Sequence, residues 1–228
     1  MHQMTSWPDA AGFFDALNKN CRYAVLRNHE DYFSSLSLEG HADIDMICDD
    51  EKALAKVAGA VMRRKLFINP WNLSVSIAGN TVELDVYSPG SRYYDPEWTA
   101  LMLDNRVYDE RGFYRLSDQD YYYSLMYHAA IHKPVFGEDY MKRLSEMSGT
   151  HKDEALFRME LEQYMKAHGY RYTYPYPYPP KRFTGFKNVP HPGPDVTLPV
   201  LFVVYERAVE RKLRSIVNDR IFSRKKRV

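Results

Sequence analysis

The chain is expected to be an α/β (α+β) protein, a mixed sheet with flanking helices followed by a helical C-terminal half. Three observations predict this. Short apolar runs at residues 23–27, 43–48 and 81–87 carry strand character, the last two with polar residues at every second position. Residues 72–87, with Gly79-Asn80 between two such runs, read as a hairpin. From Ser117 onward the period changes to that of helices, over 121–133, 138–147 and 152–168.

Ser6, Pro8 and Asp9 suggest a helix start with Ser6 as cap and Asp9 answering it, and Phe13, Phe14 and Leu17 supply the apolar stripe up to Asn18–Asn20. The first strand, ending in Arg27-Asn28, follows. After a polar, Ser-rich connection comes the run Asp43-Ile-Asp-Met-Ile-Cys48, and then Asp49-Asp50-Glu51 places acid at a helix start. That helix is expected to carry Leu54, Val57, Val61 and Met62 on one face and to finish in Arg63-Arg64-Lys65. A further strand at 65–68 precedes the hairpin. Residues 88–116 read as mostly loop, with one short helix over 96–103. Ser117-Asp-Gln-Asp120 caps the first helix of the second half, which runs toward Pro134.

Residues 170–196 hold seven prolines and alternating Tyr-Pro pairs with no helical period, and are expected to be an extended strap whose tyrosines pack along the domain. Pro199 starts a last amphipathic helix that ends in Arg224-Lys-Lys-Arg227. The expected organisation is therefore an α/β domain over 1–116, a helical region over 117–169, the strap over 170–196, and a basic tail helix over 197–228.

With 228 residues, 45% of them hydrophobic and 27% charged, the chain can bury a real core. A formal net charge of +1 argues against a general nucleic-acid binder. The tail is the exception, with nine Lys/Arg against three Asp/Glu in residues 203–228. Two cysteines, one of them in a core strand, fit a reducing compartment, and the N-terminus shows no secretory signal. A cytoplasmic protein is expected, with the basic tail able to touch an anionic inner-membrane face.

The chemistry is concentrated in the carboxylates. Asp43 and Asp45, two apart on a strand, project from one face about 7 Å apart, and Glu83 and Asp85 repeat the device on the hairpin. If these strands are neighbours, ionised pairs at ~5 Å and an effective dielectric of ~20 repel by about 3 kcal/mol each, so a compensating charge is required. A hard divalent cation, Mg²⁺ or Mn²⁺, is the expected solution. Because each aspartate adds to the crowding, Asp45→Asn is expected to leave the fold intact or slightly more stable without metal.

A strand and turn ending in Arg27-Asn28, Asp43-x-Asp45 on an apolar strand, a helix, and a third strand-borne carboxylate at Asp85 together resemble the nucleotidyltransferase superfamily that includes DNA polymerase β. The likeness covers roughly residues 20–135. It is nearest to uncharacterised bacterial nucleotidyltransferase-like proteins, which carry a helix similar to Tyr127-His-Ala-Ala-Ile-His-Lys133. The resemblance implies that Asp43, Asp45 and Asp85 hold the catalytic metals, with Asp85 also taking the proton of the attacking hydroxyl. The superfamily usually places a Gly-Ser pair ahead of the aspartates; here Arg27-Asn28 stands there, and Arg27 is expected to clamp donor phosphates. His41, Arg92 and Lys133 are further expected contacts to substrate or phosphate.

The implied function is transfer of a nucleotidyl or phosphorylated group from a nucleotide or nucleotide-linked donor to a hydroxyl of a small-molecule or glycan acceptor, as in the related fukutin-type and choline-phosphate transferases. Two alternatives stand beside it: a binding or regulatory module without turnover, and a metal-dependent glycosyltransferase using Asp43-x-Asp45. His128 and His132 have the i, i+4 spacing of a helical Zn²⁺ pair but lack a third ligand, and read instead as core or supporting residues.

Overall fold

A computed structural model describes residues 5–29, 43–62, 72–91, 93–133 and 135–173. Among these, eight strands form one mixed sheet in the order β1-β5-β6-β3-β2-β8-β7, with β4 also on β5. The strands are β1 (Ser6–Trp7), β2 (Tyr23–Val25), β3 (Asp43–Cys48), β4 (Val61–Met62), β5 (Asn72–Ile77), β6 (Asn80–Tyr87), β7 (Val107–Asp109) and β8 (Phe113–Arg115). The helices are α1 (Ala10–Asn20), α2 (Glu51–Ala58), α3 (Pro96–Asp104), α4 (Asp118–Tyr127), α5 (Glu138–Ser148) and α6 (Glu154–His168). A mixed α/β architecture with a helical second half is what the sequence predicts.

Strand alternation sorts the core into two layers. Tyr23, Val25, Ile44, Met46, Cys48, Leu84 and Val86 pack with Phe13, Phe14 and Leu17 of α1 and Leu54 of α2 on one side. Ala24, Leu26 and Ile47 face the other way, onto Trp98 and Met102 of α3, Leu125 and Tyr127 of α4, and Phe157 and Leu161 of α6. The second core joins the expected domain and helical region across residue 116.

Helix starts follow short acceptor side chains. Asp9 Oδ1 takes the Gly12 N–H at 2.8 Å, Asp50 Oδ1 those of Lys52 and Ala53 at 2.9 and 3.0 Å, and Asp153 Oδ1 that of Leu156 at 2.9 Å. Ser117 caps α4 as expected, its Oγ accepting from Asp120 at 3.2 Å.

Several local expectations are corrected. Ser6 is not a helix cap: Ser6–Trp7 pairs in parallel with Ser76 and Ile77, and Trp7 Nε1 donates to Ala58 O at 2.8 Å, so the cap falls to Asp9. α2 stops at Ala58 because Gly59 takes φ +61° and closes the last turn, after which Val61 and Met62 pair with β5. The segment read as loop contains the β7–β8 hairpin. Its strands are three residues each, too short to show a period.

The helix expected to run to Lys133 changes pitch. α4 ends at Tyr127 and a π turn spans His128–His132, closed by the Lys133 N–H on His128 O at 3.1 Å. The proline that follows in the sequence cannot donate an N–H and disfavours helical backbone in its predecessor, and Lys133, with φ −91° and ψ 146°, ends the helix there. Arg158 Nη1 reaches Ala130 O at 3.4 Å.

The start of the strap does pack on the domain. Tyr170 stacks on Trp98 with centroids 5.5 Å apart, and the Tyr127 hydroxyl accepts from the Thr173 N–H at 2.9 Å. Residues 174–196 and the tail helix lie outside the described residues, as do the 65–68 strand and Arg63-Arg64-Lys65.

Candidate functional site

β3 and β6 are parallel neighbours in a register that puts Asp43 opposite Glu83, Asp45 opposite Asp85 and Ile47 opposite Tyr87. Adjacent strands are about 4.8 Å apart, so four carboxylates share one sheet face. Ile47 belongs to the core beneath the helical half and Tyr87 packs against it, which orients the whole ladder toward that side. Asp43 is exposed at the rim, Glu83 and Asp85 are half-buried, and Asp45 is buried.

The charge that meets Asp45 comes from the protein. Arg27, just past β2, places Nη2 2.6 Å from Asp45 Oδ1, and both side chains are only 8% exposed. β2 and β3 are antiparallel, and the Leu26 N–H on Asp45 O at 2.9 Å fixes the backbone beside the pair. Burial pushes the Asp45 carboxyl above the usual carboxylate range, with Arg27 opposing it. Burial also acts to discharge Arg27, but Asp45 and the surrounding tyrosines outweigh it and hold the guanidinium charged.

From Arg27 a polar chain continues into the helical half. Nη2 also donates to the Tyr93 hydroxyl at 3.1 Å, and that hydroxyl lies 2.8 Å from His128 Nδ1. A guanidinium has no acceptor, so the Tyr93 O–H is left to donate to His128, which makes Nδ1 the unprotonated nitrogen of that ring. His132 Nδ1 lies 3.3 Å from the same atom. The Tyr93 ring is clamped, stacking on Tyr87 at 3.7 Å and lying 4.0 Å from His132. Both imidazoles are held well below their ordinary range, by burial first and by the Arg27 charge next. Both are thereby favoured as neutral rings.

Asn28 adopts φ +60°, the left-handed region that Asn tolerates better than most residues. Its Oδ1 accepts from Arg143 Nη1 of α5 at 3.0 Å, which ties the turn after β2 to the helical half. Lys133 is half-buried at the end of the π turn, and its charge acts on Asp45, His128 and His132. The structure thus brings Arg27, Asp45, Asp85 and Lys133 to one region, with Asp43 at its rim and Asn28 beside it. His41 and Arg92 lie outside the described residues.

The expected divalent metal does not fit the side chains as placed. Asp45 Oδ1 is taken by Arg27, and among the described residues no group of three or more His, Cys, Asp or Glu is disposed to hold a metal ion. Tyr93 and Arg143 were missed in the sequence reading. The only signal for Tyr93 was its place in Ser91-Arg-Tyr-Tyr-Asp95, between the Asp85 strand and a helix cap.

Comparison of the chain with models of known families, with curated proteins and with solved structures finds no match.

Proposed function

We propose that the protein is a transferase of nucleotidyltransferase type that moves a nucleotidyl or phosphorylated group from a nucleotide or nucleotide-linked donor to a hydroxyl of a small-molecule or glycan acceptor. The observation that carries this reading is the β3–β6 register, which lines four carboxylates along one face with Arg27 and Lys133 beside them. In the step envisaged, the acceptor oxygen forms a bond to phosphorus as the bond to the leaving oxygen breaks. Asp85 takes the hydroxyl proton, and the cations offset charge on the phosphate oxygens. Because the donor set does not fit a metal, no part of the step is assigned to one.

The test is a thermal-shift screen of nucleotides and nucleotide-sugars, followed by a transfer assay with the best ligand. A ligand at about a hundredfold over its dissociation constant stabilises by ~2.7 kcal/mol, enough to register. Binding that is unaffected by Asp85→Asn and by Lys133→Ala would remove this face as the donor site.

One observation favours a second reading, a nucleotide-binding or regulatory module without turnover: Asp45 is already neutralised by a buried Arg27. Donor binding with no transfer to any acceptor would select it.

Among the described residues no helix is long and apolar enough to cross a membrane. A cytoplasmic protein whose basic tail touches an anionic membrane surface remains our reading. It rests on the charge of residues 203–228.

A further inference from the structure

We propose that Arg27 is the resident cation of the carboxylate face, standing where a divalent metal would otherwise stand and excluding one from Asp45. This rests on the reading of that face as the site, and departs from the metal dependence that the sequence suggests. Three observations support it.

The first is contact. Arg27 Nη2 lies 2.6 Å from Asp45 Oδ1, on the carboxylate aligned with Asp85. A Mg²⁺ ion needs its oxygen ligands at about 2.0–2.1 Å and near-octahedral geometry, so an ion on Asp45 Oδ1 would have to sit against the guanidinium. Two positive charges that close in a buried setting repel strongly.

The second is anchorage. Arg27 is 9% exposed, and the same Nη2 that meets Asp45 is held at 3.1 Å by the Tyr93 hydroxyl. Tyr93 is in turn fixed by its stack on Tyr87 and its bond to His128, which begins the π turn. A side chain held at its tip through a chain of buried partners is a fixed part of the site. It is unlike a surface arginine that swings aside for an ion.

The third is charge balance. A face carrying Asp43, Asp45, Glu83 and Asp85 requires a compensating cation, and a permanently charged guanidinium supplies it whatever the metal supply. Tyr93 is accordingly a positioning residue acting through Arg27.

The test uses Mn²⁺ alone, followed by its electron paramagnetic resonance signal and by the change in Tm, on wild type, Arg27→Gln, Arg27→Lys and Arg27→Gln/Asp45→Asn. Wild type and Arg27→Lys are expected to bind no Mn²⁺ at this face up to millimolar concentration. Arg27→Gln, which frees Asp45, should gain at least tenfold in Mn²⁺ affinity together with a rise in Tm, and adding Asp45→Asn should abolish both. Micromolar binding by wild type that is lost in Arg27→Gln/Asp45→Asn overturns the proposal, as does Arg27→Gln with no gain. Should Arg27→Gln not fold, Arg27→Met keeps the packing of the stem and is read in the same way. No donor enters these titrations, so their outcome is independent of whether transfer is ever observed.

Discussion

Arg27 and Asp45, 18 positions apart, form a buried ion pair at 2.6 Å across the β2–β3 junction, with both side chains 8% exposed. Removing one partner leaves the other charge desolvated and uncompensated, which costs about 3–5 kcal/mol. Asp45→Asn is therefore expected to destabilise the protein by roughly that amount, as urea unfolding would show. This reverses the expectation from the sequence, where Asp45 counted only as one of several crowded negative charges. Asp43→Asn, at the exposed rim, should change stability by about 0.5 kcal/mol or less.

Tyr93→Phe keeps the ring stacked on Tyr87 but deletes the hydroxyl between Arg27 and His128. Buried partners are left unsatisfied, and a loss of about 1–3 kcal/mol is expected. Calorimetry on Tyr93→Phe and His128→Gln, singly and together, tests the link. If the two act through one chain, the double variant should lose clearly less than the sum of the singles.

His128 and His132 make stability depend on pH. Their folded values lie well below the ordinary 6.5, so below pH 6.5 the unfolded chain binds protons that the native fold excludes. The stability that neutral imidazoles allow is complete above pH 6.5. It falls as pH drops, by up to about 1.4 kcal/mol per pH unit per histidine. Tm measured between pH 7.5 and 5 should decline, and the decline should be shallower in His128→Gln. An equal slope in the two proteins would show that His128 is not kept neutral.

Asn28 holds φ +60° and accepts from Arg143. Asn28→Gly should stay within about 1 kcal/mol of wild type, since glycine relieves the backbone while losing the side-chain bond. Asn28→Val combines the lost bond with a β-branched residue in the left-handed region and should cost about 2–4 kcal/mol. Thermal unfolding of the pair separates backbone strain from side-chain contact.

The basic tail gives a prediction of its own. At about 1 kcal/mol per basic residue near an anionic surface, Arg224-Lys-Lys-Arg227 should give weak attachment that salt removes. Sedimentation with phosphatidylserine vesicles at low salt, with and without residues 223–228, measures it. Equal pelleting of the two chains would take the tail out of any membrane role.

Much of this protein is determined by the sequence alone, because its signals are local. Period-two alternation places Asp43 and Asp45 on one strand face and Glu83 and Asp85 on another, and Asp50 and Ser117 sit where helix N-termini need acceptors. The change from strands to helices after residue 116 is equally a matter of neighbours in the chain. The β7–β8 hairpin was not legible, since three-residue strands are defined by their partners rather than by any period. Nor was the register of β3 on β6, which nothing within either strand specifies. The compensation of Asp45 was beyond the sequence for the same reason. An arginine at the end of one strand, a tyrosine 66 positions on and a histidine on a π turn become one chain only when two faces of different elements close on each other and exclude water. With water present, those four acidic side chains need no fixed partner. Once the helical half buries Asp45, the desolvation cost demands a counter-charge within hydrogen-bond reach, and the tertiary structure supplies Arg27.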